Sequence, residues 1–127
     1  ETNISVTVRE PAEITVDLPT FIVGGPYWFT VYINANDDVN KSVTASFDWP
    51  ISETDVQIAG TLETDETSDL NFTSIGDVFQ TDPFTMKDAE VNFRGTFTSA
   101  GTYSTTIEVK TTDGIPLCSK VITIVVE

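Results

Sequence analysis

Phe93-Arg94-Gly95-Thr96-Phe97-Thr98-Ser99-Ala100-Gly101-Thr102-Tyr103 runs directly into Ser104-Thr105-Thr106-Ile107-Glu108-Val109-Lys110. Apolar and polar residues alternate on both sides of the Ser-Ala-Gly break. Val91, Phe93 and Phe97 oppose Glu90, Asn92, Arg94 and Thr96. Tyr103, Thr105, Ile107 and Val109 oppose Ser104, Thr106, Glu108 and Lys110. A period of two marks a strand with one face in a core and the other in water. The spacing predicts strands over 89–98 and 102–110, joined by a tight turn. Asp113-Gly114 is a hairpin signal because both residues tolerate positive φ. A last strand is expected from about Leu117 to Val126; it is apolar at both parities, which predicts a central or covered place.

The same alternation extends towards the N-terminus. Tyr27, Phe29, Val31 and Ile33 share one face of 27–34, with Trp28, Thr30 and Tyr32 on the other. Val43, Ala45, Phe47 and Trp49 alternate with Ser42, Thr44, Ser46 and Asp48, and Pro50 ends that strand. A first strand at 3–17 is split by Pro11, with Ile4, Val6 and Val8 before the break and Ile14, Val16 and Leu18 after it. A proline-broken strand suits an edge. Residues 54–59 and 70–74 give two more short strands. The stretch 60–87 reads as an irregular segment covering one flank, pinned by Val78, Phe79, Phe84 and Met86.

Composition agrees with an all-β chain. Val, Ile, Thr, Phe, Tyr and Trp make up 59 of 127 residues, whereas Ala, Leu and Met supply 11. β-branched and aromatic side chains lose rotamer freedom on a helix and pack well on a pleated surface. The length suits one domain, 1–127. Some seven to nine short strands with turns between them predict an antiparallel β-sandwich.

The stretch from Phe93 to Tyr103, followed by the alternation at Thr105, Ile107 and Val109, resembles immunoglobulin-like domains of bacterial and archaeal surface or secreted proteins. The Gly101-Thr102-Tyr103 step matches the opening of their next-to-last strand. The resemblance implies an immunoglobulin-like sandwich in which the Tyr103 hydroxyl bonds back to the preceding turn. The cysteine pair of antibody domains is absent, and Trp49 ends its strand instead of sitting at its middle. The motif therefore implies a fold and no ligand site.

Charge and residue inventory exclude several function classes. Six basic against twenty acidic residues leave a net charge of −14. That field repels phosphate, so neither nucleic acid nor an anionic membrane surface is an expected partner. With no histidine there is no histidine-based triad, imidazole ligand or neutral-pH switch. The single cysteine, Cys118, cannot form an internal disulfide and has no histidine base; it reads as a small apolar filler. No apolar run reaches the roughly 20 residues of a spanning helix. The carboxylates fall on outward positions and in loops, and we expect no enzymatic activity. Lys41, Lys87, Lys110 and Lys120 also read as loop or outward residues, which argues against an internal isopeptide crosslink.

Three features remain as candidates. Asn36, Asp37 and Asp38 crowd one loop with oxygen donors, and Asp113 in the later hairpin lies at the same end of an immunoglobulin-like fold. Calcium takes six to eight such oxygens, so these four residues are the candidate Ca²⁺ set; the plain reading is a polar turn. Trp28 and Tyr32 share an outward face, where rings stack on sugars or anchor proteins; the plain reading is that other chain covers them. Asn3-Ile4-Ser5, Asn40-Lys41-Ser42 and Asn71-Phe72-Thr73 are glycosylation sequons. The sequence thus predicts a non-catalytic extracellular or cell-surface module. It would act as a spacer or protein-interaction unit, with neighbouring domains of its own chain, another protein or a glycan as partners. The alternatives are a carbohydrate-binding module using Trp28 and Tyr32, or a self-assembling subunit of a surface layer, pilus or viral particle.

Overall fold

The computed structural model describes residues 10–63 and 68–127. The alternating segments become β1 (Glu13–Val16), β2 (Pro26–Asn34), β3 (Ser42–Asp48), β4 (Thr54–Leu62), β9 (Ala89–Phe97), β10 (Gly101–Thr111) and β11 (Pro116–Val126). Between β4 and β9 lie β5 (Ser68–Leu70), β6 (Phe72–Ile75), β7 (Val78–Thr81) and β8 (Phe84–Thr85). One sheet has the order β1-β2-β9-β4-β5, the other β11-β10-β3-β7-β6, with β8 beside β3. Every named strand pairing is antiparallel. The orders β1-β2-β9-β4 and β11-β10-β3 are those of the two immunoglobulin-type sheets. The expected seven to nine strands are eleven among the described residues.

The excess comes from 60–87, which is not irregular. After Leu70 the chain leaves the first sheet, and Phe72 opens β6 in the second. Val78 and Phe84 are half-buried while Phe79 and Met86 are buried, so the anchors read from sequence do pin this stretch. The strand expected at 70–74 overlaps β6, whereas β5, β7 and β8 are not predicted, because strands of two to four residues are too short for a period of two to register. The portion of the first strand predicted at 3–9, with Ile4, Val6 and Val8, lies outside the described residues.

Alternation converts directly into a core. Phe47, Phe93, Phe97 and Ile107 are all at least 97% buried, and Tyr103 packs partly against them. The rings form one connected cluster. Phe29 stacks on its cross-strand partner Phe93 with centroids 5.0 Å apart and planes within 2°. Trp49 lies 5.0 Å from Phe93 and 5.9 Å from Phe97. Its indole N–H donates to the Tyr27 hydroxyl at 3.3 Å. Thr54 Oγ1 donates to the Thr96 carbonyl at 2.9 Å, so Tyr27 must donate to Thr54, also at 2.9 Å. This relay satisfies the polar tips of Trp49, Tyr27 and Thr54 and ties the two sheets together. The Tyr103 hydroxyl donates to the Ser99 carbonyl at 3.0 Å, the back-bond that the resemblance implied.

Two expectations need correction. The β10–β11 hairpin turns on a bond from Gly114 N to Thr111 O at 2.8 Å. Thr112 and Asp113 are therefore its central residues, and only Gly114, at φ 93, takes the left-handed conformation. Strand β11 ends the order of its sheet, and its outward side chains are uncovered: Val121 is 67% exposed and Val125 54%. Its outward positions are β-branched by strand preference without being buried.

Candidate functional site

The loop after β2 is built to hold the chain that precedes β1. Asn36 and Asn40 adopt positive φ, 49° and 72°, which asparagine tolerates better than most residues. The resulting turn, with a short 3₁₀ segment at Asn36–Asp38, aims three side chains at the chain before β1, and of these only Asp38 is buried. Asp37 accepts from the Glu10 amide at 2.6 Å, and Asn36 Nδ2 donates to the Pro11 carbonyl at 3.0 Å. Asp38 is fully buried; its Oδ2 accepts from the Ala12 amide at 2.8 Å and its Oδ1 from Lys41 Nζ at 2.7 Å. The structure thus brings Asn36, Asp37 and Asp38 together, but with the two carboxylates turned onto backbone amides and an ammonium group and Asn36 donating to a backbone carbonyl. Asp113 sits in the exposed turn after β10, whose Thr112 amide donates to the Ser42 carbonyl at 3.0 Å. No group of three or more His, Cys, Asp or Glu side chains able to hold a metal is present among the described residues.

Cys118 is half-buried at the start of β11, opposite Val109. Burial pushes its thiol up to about 11, so at neutral pH it is a protonated apolar filler without nucleophilic character. Lys41 is bound to Asp38, and Lys87 Nζ donates to Asn40 Oδ1 at 2.8 Å. Asn40, in the second sequon, is thereby engaged. Asn71, in the third, is exposed in the link between β5 and β6. Asn3 lies outside the described residues.

The aromatic pair is where the structure departs most from the plain sequence reading. Nothing described covers it: Trp28 is 78% exposed and Tyr32 45%. Both stand on the outer face of the five-stranded sheet, whose register fixes their neighbours. Trp28 lies opposite Arg94, which lies opposite Gln57 on β4. Tyr32 lies between Thr15 of β1 and Glu90 of β9. Thr30, between the two rings, donates to Asn92 Oδ1 at 2.7 Å. Trp28, Arg94, Gln57, Asp55, Thr96 and Pro26 line an open depression of about 580 Å³. Sequence reasoning placed Trp28 and Arg94 outward on separate strands. It could not bring them together, because strand order is not written in a period of two.

No family model and no curated protein matches the sequence. Solved structures with the same fold do match. A cohesin module from a Clostridium perfringens family 33 glycoside hydrolase has a TM-score of 0.56 at 16% identity, over 92% of this chain and 98% of that one. A non-cellulosomal cohesin from the hyperthermophilic archaeon Archaeoglobus fulgidus gives 0.57 at 15% identity, over 91% and 92%. The C-terminal domain of the Streptococcus pyogenes antigen I/II-family protein AspA gives 0.55 at 8%, over 91% of this chain and 45% of that one. At these identities the likeness is one of architecture: an all-β, two-sheet antiparallel sandwich similar to that of cohesin modules.

Proposed function

We propose that the chain is a non-catalytic structural and protein-interaction module of a larger surface or secreted protein. The observation that carries this reading is a stripe of aliphatic side chains in water. Val121 and Val125 project from β11, which its neighbour continues: Phe21 bridges Val126, and the Val23 amide donates to the Glu127 carbonyl at 3.0 Å. Phe21 and Val126 point into the core; Ile22, 57% exposed, and Val125 point out on the same side. Isolated exposed aliphatics are ordinary, but Val121 and Val125, with Thr123 between them, and Ile22 stand together at the end of the sheet and form a surface suited to burial against another protein. The likeness to a cohesin module within a glycoside hydrolase supplies a precedent for such a sandwich as one part of a larger chain. The acidic remainder of the surface keeps the module soluble and repels copies that approach elsewhere.

Carbene footprinting tests the reading on the isolated domain and on the whole protein in its native setting. Labelling of Val121 and Val125 is expected to fall several-fold in the assembled protein. Equal labelling in both states would remove the interaction role from this stripe.

A further inference from the structure

We propose that the depression beside Trp28, on the opposite sheet from the aliphatic stripe, binds a neutral saccharide. The inference goes beyond the interaction module just described and uses none of its residues. Its first ground is chemical composition. A pyranose presents a flat face of C–H groups and an equatorial rim of hydroxyls that both donate and accept. Trp28 offers a flat indole, 78% exposed, of matching breadth. Around it stand an acceptor carboxylate (Asp55), an amide that does both (Gln57), a guanidinium (Arg94) and a hydroxyl (Thr96).

The second ground is that these groups are unengaged. Among the described residues, the Trp28 indole N–H and the side chains of Asp55, Gln57 and Arg94 make no hydrogen bond or ion pair. They converge because the sheet register sets Trp28, Arg94 and Gln57 in one cross-strand row and Thr96 and Asp55 in the next. All stand on three adjacent strands of a sheet, a rigid platform for a first shell.

The third ground separates a sugar from a protein partner. The centre of a protein interface, where Trp, Tyr and Arg are common, is a wide packed patch in which such a ring has further apolar side chains beside it. Here the ring is isolated among polar side chains: Arg94 and Gln57 across the sheet, Thr30 and Asn92 in the next row. The contact offered is one ring wide and rimmed by hydrogen-bonding groups, which is the shape of a sugar subsite. Net charge restricts the class further, because a chain at −14 repels uronate and sulfated polymers. Tyr32, four residues along β2, lies about 13 Å from Trp28 at the usual strand rise. That is too far for the same sugar, and it places a second ring under a longer chain lying along the strand.

The experiment titrates the ¹⁵N-labelled domain with mannotriose, cellotriose, β-1,4-galactotriose and chitotriose, and with trigalacturonate as the anionic arm. The two indole N–H signals separate site from core, since Trp49 is buried. At least one neutral trisaccharide should shift Trp28 and leave Trp49 in place, with millimolar or tighter affinity. W28A should weaken binding at least tenfold and Q57A several-fold. Because Trp28 is exposed, W28A should fold, and unchanged Trp49 emission verifies this. The substitution V121E, on the other sheet, should leave the titration unaltered, so this proposal can fail or succeed apart from the interaction stripe. Failure of every neutral trisaccharide to shift Trp28 would overturn it, as would equal binding by W28A or preferential binding of trigalacturonate. Protection of Trp28 by a protein partner, without any sugar response, would make this face a protein contact instead.

Discussion

Phe97→Ala is the sharpest test of the packing. Phe97 is 99% buried at the end of β9 and touches four rings. Tyr27 lies 5.3 Å away, Phe21 5.4 Å, Tyr103 5.5 Å and Trp49 5.9 Å. Truncation of a buried Phe costs about 3–5 kcal/mol through lost transfer energy and the cavity left behind. Each aromatic pair adds about 0.5–1.5 kcal/mol beyond its area, so losing four of them points to the upper half of that range. Two sheets meet at this cluster, and two of the rings beside Phe97, Trp49 and Tyr27, are held by the hydrogen-bond relay to Thr54. Against a usual domain stability of about 5–15 kcal/mol, the variant should lose about a quarter or more. Urea unfolding followed by Trp49 emission would show the midpoint falling by about 2 M at unchanged slope. Phe97→Leu, which keeps most of the volume, should cost only about 1–1.5 kcal/mol. A loss below about 1.5 kcal/mol for the alanine variant, with the same slope, would refute the picture of one shared aromatic core.

Three further outcomes are expected. Gly95→Ala should destabilise by about 1–3 kcal/mol, because a Cβ there overlaps the Asp55 carbonyl oxygen and lies 2.9 Å from Val56 Cα; differential scanning calorimetry showing an unchanged midpoint would disprove that close approach of β4 and β9. Thr105→Val should stabilise by about 1 kcal/mol, since Thr105 Oγ1 is buried on β10 without a hydrogen-bond partner among the described residues; destabilisation in urea would reveal a bond to that hydroxyl. Stability should hold to about pH 9 and fall above it. Desolvation raises the Cys118 thiol from 9.0 to about 11 and the Tyr27 phenol above its ordinary 10.0, so the unfolded chain loses these protons first and is favoured as pH rises. A urea midpoint flat from pH 8 to 11 would contradict this, and C118A should remove the earliest part of the decline.

The legible part of this fold is the part with period two. Long strands such as β2, β9 and β10 carry four or more alternations each, enough to fix face and register of Phe29, Phe93 and Ile107. Tyr103 was legible for a different reason, a short motif whose turn geometry follows from the Gly-x-Tyr step. What alternation cannot carry is lateral order. Arg94 and Gln57 became neighbours of Trp28 only once β9 was seen between β2 and β4. Nor can composition say what an oxygen faces. Asn36, Asp37 and Asp38 have the residue types of a cation loop, yet the chain at Glu10–Ala12 brings amides to the Asp37 and Asp38 carboxylates and takes a bond from the Asn36 side-chain amide at the Pro11 carbonyl. Of the short strands only the one near β6 is legible, β5, β7 and β8 being too short, and the exposed valines of β11 mislead because strand preference and burial select the same residue types.

Trp28 is far more exposed than the other rings of this chain's described strands; Tyr32, on the same face, comes next at 45%. Tyr27, Phe29, Phe47, Phe79, Phe93 and Phe97 are buried, and Trp49 is buried beyond the end of β3. Each stabilises the fold by burial, and replacing any of them costs stability. Trp28 contributes little of that kind, since most of its surface stays in water. A Thr at this position would keep the β-propensity, match Thr30 on the same face and lower the risk of aggregation. Folding therefore gives no reason for an indole there, whereas an indole with unengaged Asp55, Gln57 and Arg94 around it is what a ligand contact requires. W28T should consequently fold with stability within about 0.5 kcal/mol of the parent, as surface substitutions do, and its measured loss should appear only in binding. A drop in stability as large as that of a core ring would return Trp28 to the list of structural residues and dissolve the contrast between the two tryptophans.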